Sequence, residues 1–356
     1  MMSPRCINVL VVDDSDVTRL LLKHLLESDP LIRVIGTAED GQAALDFLAQ
    51  RRPDVVLMDI HMPRMDGFEA TRLIMESQPL PIVICTATAN AAEVAITFRS
   101  IEAGAVACVG KPVSREHPDF EPLTRNLLQT VRLMSEVKVV RRWPRSRHIA
   151  ARVGAAAAAG GIKLVGIGAS TGGPQALQAI LSGLSKDFPV PILIVQHISP
   201  GFLPGLVEWL NQTSSLSVHI AAHDLLPLPG HVYVAPDDFH LGLGDNSRLV
   251  LAREAAENGL RPAVSYLFRS LAATCGPAAI GVLLSGMGRD GAAELKSMRE
   301  RGAQTIAQDR DSSIVHGMPG EAIALGAAAH VLSADRIASA LIALVNHRTA
   351  ARGIES

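Results

Sequence analysis

Short, uninterrupted apolar runs alternate with segments of helical spacing along most of this chain. The apolar runs of the first third cover residues 7–12, 31–37, 55–58, 82–85 and 106–109. A run that is apolar at every residue predicts a strand buried on both faces, as in a parallel sheet covered by helices. The same alternation predicts further strands at 164–167, 192–196, 232–234, 280–284, 305–307 and 330–332, with a short antiparallel excursion at 216–252. We therefore predict an α/β protein with two doubly wound parallel-sheet domains.

Composition and charge exclude several classes of function. The chain has 356 residues, 48% of them hydrophobic, so two domains can each bury a core. A net charge of -2 gives no electrostatic attraction to nucleic acid or to an anionic membrane. No apolar run is long enough to span a bilayer, and no signal-peptide core is present, so we expect a cytoplasmic protein without membrane insertion. The cysteines lack C-x-x-C spacing and predict buried thiols, not zinc or disulfides: Cys6, Cys85, Cys108 and Cys275.

Polar residues follow four of the first five predicted strands. Asp13 and Asp14 end the first strand, Asp59 the third, Thr86 the fourth and Lys111 the fifth. Ligands bind at this carboxyl edge in open α/β sheets. Grouped carboxylates repel one another unless a cation lies among them, and hard oxygen ligands favour Mg²⁺. The pattern suits transfer of a phosphoryl group to a carboxylate, and a set of strand-end caps is the alternative.

The motifs V-V-D-D-S-D, M-D-I-H-M-P-R-M-D-G and K-P resemble those of bacterial response-regulator receiver domains, which have a flavodoxin-like fold. The resemblance implies that Asp59 is the phosphorylated residue. It implies a Mg²⁺ site formed by Asp13, Asp14, Asp59 and the backbone carbonyl of His61. It also makes Thr86 the switch hydroxyl and Lys111 the lysine that pairs with the phosphate. Cys108 stands where this family often has a switch tyrosine or phenylalanine, so coupling through an aromatic ring is not expected.

A linker is expected after the first domain. Residues 116–139 have helical spacing, and a short basic run at 141–145 and an Ala/Gly tract at 154–161 follow. Because no helix-turn-helix pattern accompanies the basic run, we interpret it as solvated linker and expect no nucleic-acid binding. We place the first domain at 5–123, the helix and linker at 124–160, and the second domain at 161–350.

A glycine-rich turn, G-I-G-A-S-T-G-G-P at 166–174, opens the second domain. It places Ser170 between a strand and a helix, where unpaired backbone N–H groups can stabilise an oxyanion. Three interpretations remain open from these residues. A nucleotide-phosphate loop requires a glycine at position 171, where this chain has Thr171. A nucleophile elbow requires G-x-S-x-G, which residues 168–172 match. A serine that only caps the helix requires neither pattern.

A serine nucleophile needs a base and a carboxylate that orients the base. His197 directly follows the run 192–196, so it ends a strand beside that of Ser170. Asp290 lies in the turn S-G-M-G-R-D-G after the run 280–284, where it could also cap the helix 292–300. Asp309 and Asp311 follow the next strand and are competing candidates. The order serine, histidine, aspartate differs from that of α/β-hydrolases.

The second domain resembles the catalytic domain of the chemotaxis protein-glutamate methylesterases, the CheB family. The motifs that carry this resemblance are G-I-G-A-S-T-G-G-P, V-Q-H-I, P-G-H-V-Y-V-A-P-D-D-F-H-L, S-G-M-G-R-D-G and G-M-P-G-E-A-I. The resemblance implies a Rossmann-like domain whose Ser-His-Asp triad is Ser170, His197 and Asp290. It places Thr171 and Met287 beside the oxyanion site. The family often has an acid where this chain has Ser265.

The two resemblances together imply a phosphorylation-activated hydrolase. It would demethylate glutamate methyl esters on chemoreceptors with release of methanol, and deamidate receptor glutamines. Expected partners are methylated chemoreceptors and a chemotaxis histidine kinase. We expect a monomer that needs Mg²⁺ for receiver phosphorylation and no cofactor for the esterase. The alternatives are a phosphorylation-controlled binding module with an idle hydrolase site and a DNA-binding output; intact triad positions favour the enzyme.

Overall fold

The structure is a computed structural model that describes residues 6–87, 91–112, 119–137 and 161–349, without the side chains of 91–96 and 347–349. These residues form two compact units, the first made mostly of the N-terminal part of the chain and the second mostly of the rest. The predicted linker tract at 141–161 lies almost wholly outside the described residues. The domain boundaries given above therefore stay predictions.

The first unit alternates strands and helices along the chain. Its elements are β1 (Ile7–Val12), α1 (Asp16–Glu27), β2 (Ile32–Ala38), α2 (Gly41–Leu48), β3 (Val55–Met58), α3 (Gly67–Ser77), β4 (Ile82–Thr86), α4 (Ala91–Ala103), β5 (Ala107–Gly110) and α5 (Phe120–Met134). The strands form one parallel sheet in the order β2-β1-β3-β4-β5. This confirms the doubly wound fold that the apolar runs predicted, with strands β3 and β4 fully buried.

Short polar side chains start three helices of the first unit. Ser15, Asp40 and Asp66 each accept a hydrogen bond from a backbone N–H of the first helical turn. Such caps satisfy donors that have no partner within the helix. Each cap lies in the loop between a strand and the helix that follows it. These loops gather at the edge of the sheet where the parallel strands end.

The second unit carries the larger sheet. Its elements are β6 (Leu164–Ala169), α6 (Gly173–Leu181), β7 (Ile192–Gln196), α7 (Leu203–Thr213), β8 (Ser217–Ile220), β9 (His231–Val234), β10 (His240–Leu243), β11 (Leu249–Ala252), α8 (Val264–Thr274), β12 (Ala279–Leu283), α9 (Ala292–Glu300), β13 (Gln304–Gln308), α10 (Met318–Ala324), β14 (His330–Leu332) and α11 (Ala334–Thr349). Seven strands form a parallel sheet in the order β14-β13-β12-β6-β7-β9-β8. Among the described helices of both units, none combines the length and apolar character of a membrane span.

The predicted antiparallel excursion at 216–252 is wrong in its first half. Strands β8 and β9 pair in parallel and belong to the main sheet. Only β10 and β11 form an antiparallel pair. The segment between β8 and β9 runs out to the hairpin, where the Asp224 N–H bonds to the Leu249 carbonyl, and then returns. Turn residues between short strands therefore indicated a hairpin, whereas the chain makes a crossover connection between β8 and β9.

Strand order places a ligand crevice beside β6. The chain builds β7, β9 and β8 on one side of β6 and β12, β13 and β14 on the other. In open α/β sheets the crevice lies at the carboxyl ends of the strands where the order reverses. The register aligns Ala169 with Gln196, and Gly168 with Leu283. The residues that follow these strands therefore emerge side by side.

Candidate active site

Ser170 lies between β6 and α6 and is half-buried. Its backbone N–H donates to the Ser285 carbonyl at 3.0 Å, which fixes the turn to the end of the neighbouring strand. The N-cap residue of α6 is Gly172, with φ +79°, and no side chain caps this helix. The serine N-cap interpretation is therefore wrong. The Ser170 side chain stands near a helix N-terminus without serving as its cap.

Gln196 ties Ser170 to His197. Its side-chain amide donates to the Ser170 carbonyl at 2.9 Å and to the His197 carbonyl at 2.8 Å. The His197 N–H in turn donates to the Ala169 carbonyl at 2.9 Å. These bonds hold both strand ends in one arrangement. We did not single out Gln196 from the sequence, although a polar residue that closes a fully apolar strand is a usable signal.

His197 contacts the carboxylate of Asp290. The distance from Nε2 to Oδ2 is 3.0 Å, and both side chains are largely buried. Nε2 is not aligned for an ideal N–H···O bond, as is common for catalytic contacts before substrate binds. Since Nε2 faces the carboxylate, Nδ1 is the ring nitrogen that does not face Asp290.

Asp290 is held by the start of α8. Its carboxylate accepts bonds from the backbone N–H groups of Val264 at 2.7 Å and Ser265 at 3.0 Å, and from the Ser265 hydroxyl at 2.6 Å. The N-cap residue of α8, Ala263, has no side-chain acceptor of its own, so Asp290 supplies one from another part of the chain. The alternative that Asp290 caps the helix 292–300 is wrong, because Gly291 occupies that N-cap.

The environment keeps Asp290 ionised. Burial raises the pKa of Asp290, but contacts from His197, the Ser265 hydroxyl and the Val264 N–H outweigh burial, so the pKa lies below its ordinary value. An ionised carboxylate beside His197 can stabilise the imidazolium that forms when the histidine takes a proton.

The loop that carries Met287 is anchored from two sides. The Ser285 hydroxyl donates to the Thr171 carbonyl at 2.7 Å, and the Gly286 carbonyl accepts from the backbone of Met318 at 2.9 Å. A Cβ atom at Gly286 would lie 2.7 Å from the Ser170 Cβ, so only glycine allows this approach. Met287 itself is exposed at the tip of the loop.

The two competing carboxylates, Asp309 and Asp311, lie in the loop that follows β13. Asp309 accepts bonds from the backbone N–H of Ser312 at 2.9 Å and from its hydroxyl at 2.7 Å, and so closes its own loop. Asp311 is an exposed residue of the same loop. Of the three candidates, the structure brings Asp290 to His197.

In the first unit, the predicted strand-end residues meet at one edge. Carboxylate oxygens of Asp13, Asp14 and Asp59 lie within 4.8 Å of one another. The Lys111 Nζ lies 2.7 Å from Asp13 Oδ2 and 2.8 Å from Asp59 Oδ2. Thr86 is buried at the end of β4, where its carbonyl accepts the Lys111 N–H. Three clustered hard-oxygen donors fit Mg²⁺.

Lys111 offsets part of the negative charge of the carboxylates at this edge. Burial, and less strongly the neighbouring Asp13, raises the pKa of Asp59, although Lys111 lowers it. Burial lowers the pKa of Lys111, but Asp59 and Asp13 raise it overall. Lys111 therefore stays cationic beside the carboxylate that would gain a phosphoryl group. Cys108 lies on β5, where burial raises its thiol pKa well above the ordinary value, so it is a neutral thiol.

Gly291 provides a test of the turn that positions Asp290. It has φ +80°, and a Cβ there would lie 2.4 Å from Val264 Cγ1. We expect Gly291→Ala to lower the free energy of unfolding by about 1–3 kcal/mol, because backbone strain and a clash add. Gly288 has the same φ with nothing within 4 Å of its Cβ, so Gly288→Ala carries the strain alone. Chemical denaturation should rank Gly291→Ala as the less stable variant, and equal losses would contradict the steric argument.

The fold and the two sites define a class of protein. It is a two-unit α/β protein with clustered carboxylates and a lysine at the strand ends of one unit, and a serine, a histidine and an aspartate at the strand ends of the other. The chain belongs to the CheB methylesterase family. The model of the CheB methylesterase family matches residues 165–341, and that of the response regulator receiver domain matches residues 9–118.

Relatives match the chain over almost its whole length. A protein-glutamate methylesterase/protein-glutamine glutaminase from Nitrosospira multiformis is 53% identical over 353 residues, covering 96% of this chain and 98% of the relative. A protein of the same description from Geobacter metallireducens is 54% identical and covers 95% of this chain and 99% of the relative. The crystal structure of the Thermotoga maritima CheB methylesterase catalytic domain is 41% identical, with a TM-score of 0.50, over 52% of this chain and 99% of that chain.

Proposed function

We propose that this protein is a phosphorylation-activated protein-glutamate methylesterase that also acts as a protein-glutamine glutaminase. The observation that carries the proposal is the contact of Asp290 with His197 next to Ser170, at the sheet edge where α/β enzymes bind their ligands. The near full-length relatives with that description support the substrate class.

The reaction begins at the Ser170 hydroxyl. Its oxygen attacks the carbonyl carbon of a glutamate γ-methyl ester, while Nδ1 of His197 takes the hydroxyl proton. Asp290 holds the ring through Nε2 and stabilises the positive charge that develops on it. Collapse of the tetrahedral intermediate breaks the bond to methoxide, which receives the proton from His197 and leaves as methanol.

We assign the oxyanion site to the turns that carry Thr171 and Met287. Thr171 stands at the N-terminal end of α6, where the helix dipole is positive. Met287 lies in the loop that Ser285 and Gly286 fix against the Ser170 turn. Donors held in advance cost no reorganisation as the charge develops.

The second half of the reaction returns the serine. His197 takes a proton from water, and the resulting hydroxide attacks the acyl-enzyme and releases the glutamate side chain from Ser170. A glutamine amide passes through a similar tetrahedral intermediate, with ammonia as the leaving group. The same residues therefore account for deamidation.

In the first unit, Asp59 is the proposed phosphoryl acceptor. Its carboxylate oxygen bonds to the phosphorus of the donor as the bond from phosphorus to the donor's own group breaks and that group leaves, and Lys111 neutralises charge on the phosphoryl oxygens. Asp13, Asp14, Asp59 and the His61 carbonyl would hold Mg²⁺, which supplies further charge neutralisation. The Thr86 hydroxyl would then move toward the phosphoryl group and signal the change.

We propose methylated chemoreceptors as substrates and a chemotaxis histidine kinase as phosphodonor. The receiver domain of the family supports the kinase, and the description of the relatives supports the receptor. We further propose that the protein acts in the cytoplasm as a monomer.

Methanol release from methylated receptor membranes tests the esterase and its activation by phosphorylation. The rate of the intact protein should rise several-fold on addition of acetyl phosphate and Mg²⁺. Asp59→Ala should remove that increase and keep the basal rate, because the esterase site is unchanged. Asp46→Ala, which removes an exposed carboxylate on α2, is the matched control and should respond as wild type does.

The outcomes separate the parts of the proposal. A wild-type rate that does not change with acetyl phosphate would support the esterase activity and refute its activation by phosphorylation. Absence of methanol under every condition, with receptor binding retained, would refute the esterase and favour the binding module.

A further inference from the structure

Ser265 occupies a crowded position between two carboxylates. Its hydroxyl oxygen lies 2.6 Å from Asp290 Oδ1 and 2.8 Å from Glu294 Oε2. It also accepts the Gly291 N–H at 3.0 Å. Ser265 and Asp290 are buried, and Glu294 on α9 is partly exposed. A continuous chain of polar contacts thus runs from His197 to a side chain that reaches solvent.

The contacts of the Ser265 hydroxyl with Asp290 and Glu294 compete for one hydrogen atom. A hydroxyl group has one hydrogen to donate and two lone pairs that accept. The Gly291 N–H takes one lone pair, so the Ser265 hydrogen can point to Asp290 or to an ionised Glu294, but not to both. Strengthening the bond to one carboxylate therefore weakens the bond to the other.

Glu294, at the outer end of this series of polar contacts, faces a positive charge of its own. Arg269 on α8 lies 3.7 Å from Glu294 Oε1 and also pairs with Glu257. The charged groups that face the Ser265 hydroxyl through this chain are Asp290 with His197 behind it, and Glu294 with Arg269 behind it. No other ion pair of Glu294 appears among the described residues.

We propose that Ser265 and Glu294 are positioning residues for the triad. Ser265 orients the Asp290 carboxylate and sets how strongly it stabilises the His197 imidazolium, and Glu294 modulates this by competing for the Ser265 hydrogen. The proposal rests on the proposed function, since it assigns Asp290 its role beside His197. It extends the site by two side chains.

Two substitutions should act in opposite directions. Ser265→Ala removes a donor from Asp290, so the carboxylate stabilises the imidazolium more strongly and loses its fixed orientation. Glu294→Gln removes the competing anion and offers an amide donor to the Ser265 oxygen, which commits the Ser265 hydrogen to Asp290. The imidazolium is then stabilised less.

The measurement is kcat/KM for methanol release against pH, with intact protein and saturating acetyl phosphate. Ser265→Ala should lower kcat about 10-fold with little change in KM, and move the acid limb of the profile upward by about 0.5 pH unit. Glu294→Gln should move the acid limb downward by a similar amount. NMR of histidine-labelled protein should show opposite displacements of the His197 titration midpoint in the two variants, without relying on turnover.

Matched controls lie on the same elements. Ser270→Ala removes a hydroxyl of α8 that bonds the Leu243 N–H and does not touch Asp290. Glu300→Gln removes an exposed carboxylate at the C-terminal end of α9. Both control variants should leave the acid limb in place. If Ser265 and Glu294 had only structural roles, their variants would leave it in place as well.

The result that overturns the inference is an acid limb, or a His197 titration, that does not move or moves in the same direction in both variants. That outcome in an active wild-type protein leaves the proposed function intact. A wild-type protein without methanol release would instead refute the proposed function, and the NMR titration would still decide whether the hydrogen-bond chain exists.

Discussion

Ser170→Ala should lower the rate of methanol release by about 10⁴-fold or more and leave the fold intact. Removal of a serine nucleophile leaves only the contributions of substrate binding and oxyanion donors. The backbone bonds of Ser170 to Ser285 and Gln196 use its N–H and carbonyl, which alanine retains. Initial rates at saturating acetyl phosphate, with thermal unfolding of the same samples, measure both halves of the expectation.

The matched control for this substitution is Ser182→Ala, at the exposed C-terminal end of the same helix, α6. It should retain the wild-type rate. A Ser170→Ala protein that keeps more than about one hundredth of the wild-type rate would remove Ser170 from the role of nucleophile, since the drop from a lost nucleophile is far larger.

The fold could be predicted because its sheets are buried on both faces. Strand β3 is apolar at every position, and β4 at every position before its last residue, Thr86, a pattern that half-exposed strands do not have. The pairing direction of β8 and β9 could not be predicted in the same way. Both strands are short, and β8 exposes three of its four residues at the sheet edge, so neither burial nor length distinguished a crossover from a hairpin.

The site was predictable as far as strand ends determine it. Ser170, His197 and Asp290 each follow an apolar run, and parallel strands bring such ends together. The contacts of Ser265 and Glu294 were not predictable in this way, because they depend on how α8 and α9 pack against each other. The contact of Asp290 with the start of α8 was not predictable either, since the sequence cannot show that α8 lacks a side-chain cap of its own.

Asp290→Asn should lower kcat for methanol release by about 10³- to 10⁴-fold with a small effect on KM. The amide cannot stabilise an imidazolium, and it can present N–H where His197 needs an acceptor. The variant can still accept a hydrogen bond from the start of α8 through one oxygen, so we expect a folded protein of reduced stability. Steady-state kinetics at pH 7 and chemical denaturation test the two effects, with Asp245→Asn in an exposed turn as the control.

The stability cost of Asp290→Asn should depend on pH with a definite sign. The pKa of Asp290 is lowered in the folded protein. A carboxyl of this kind contributes stability that is present above its unfolded pKa of about 3.9 and is lost as the pH falls through the folded value. Wild type should therefore exceed the variant most at neutral pH, and the difference should shrink below about pH 4. A difference that grew on acidification would mean that burial of the charge outweighs its contacts, and that the carboxylate is not held as an anion for His197.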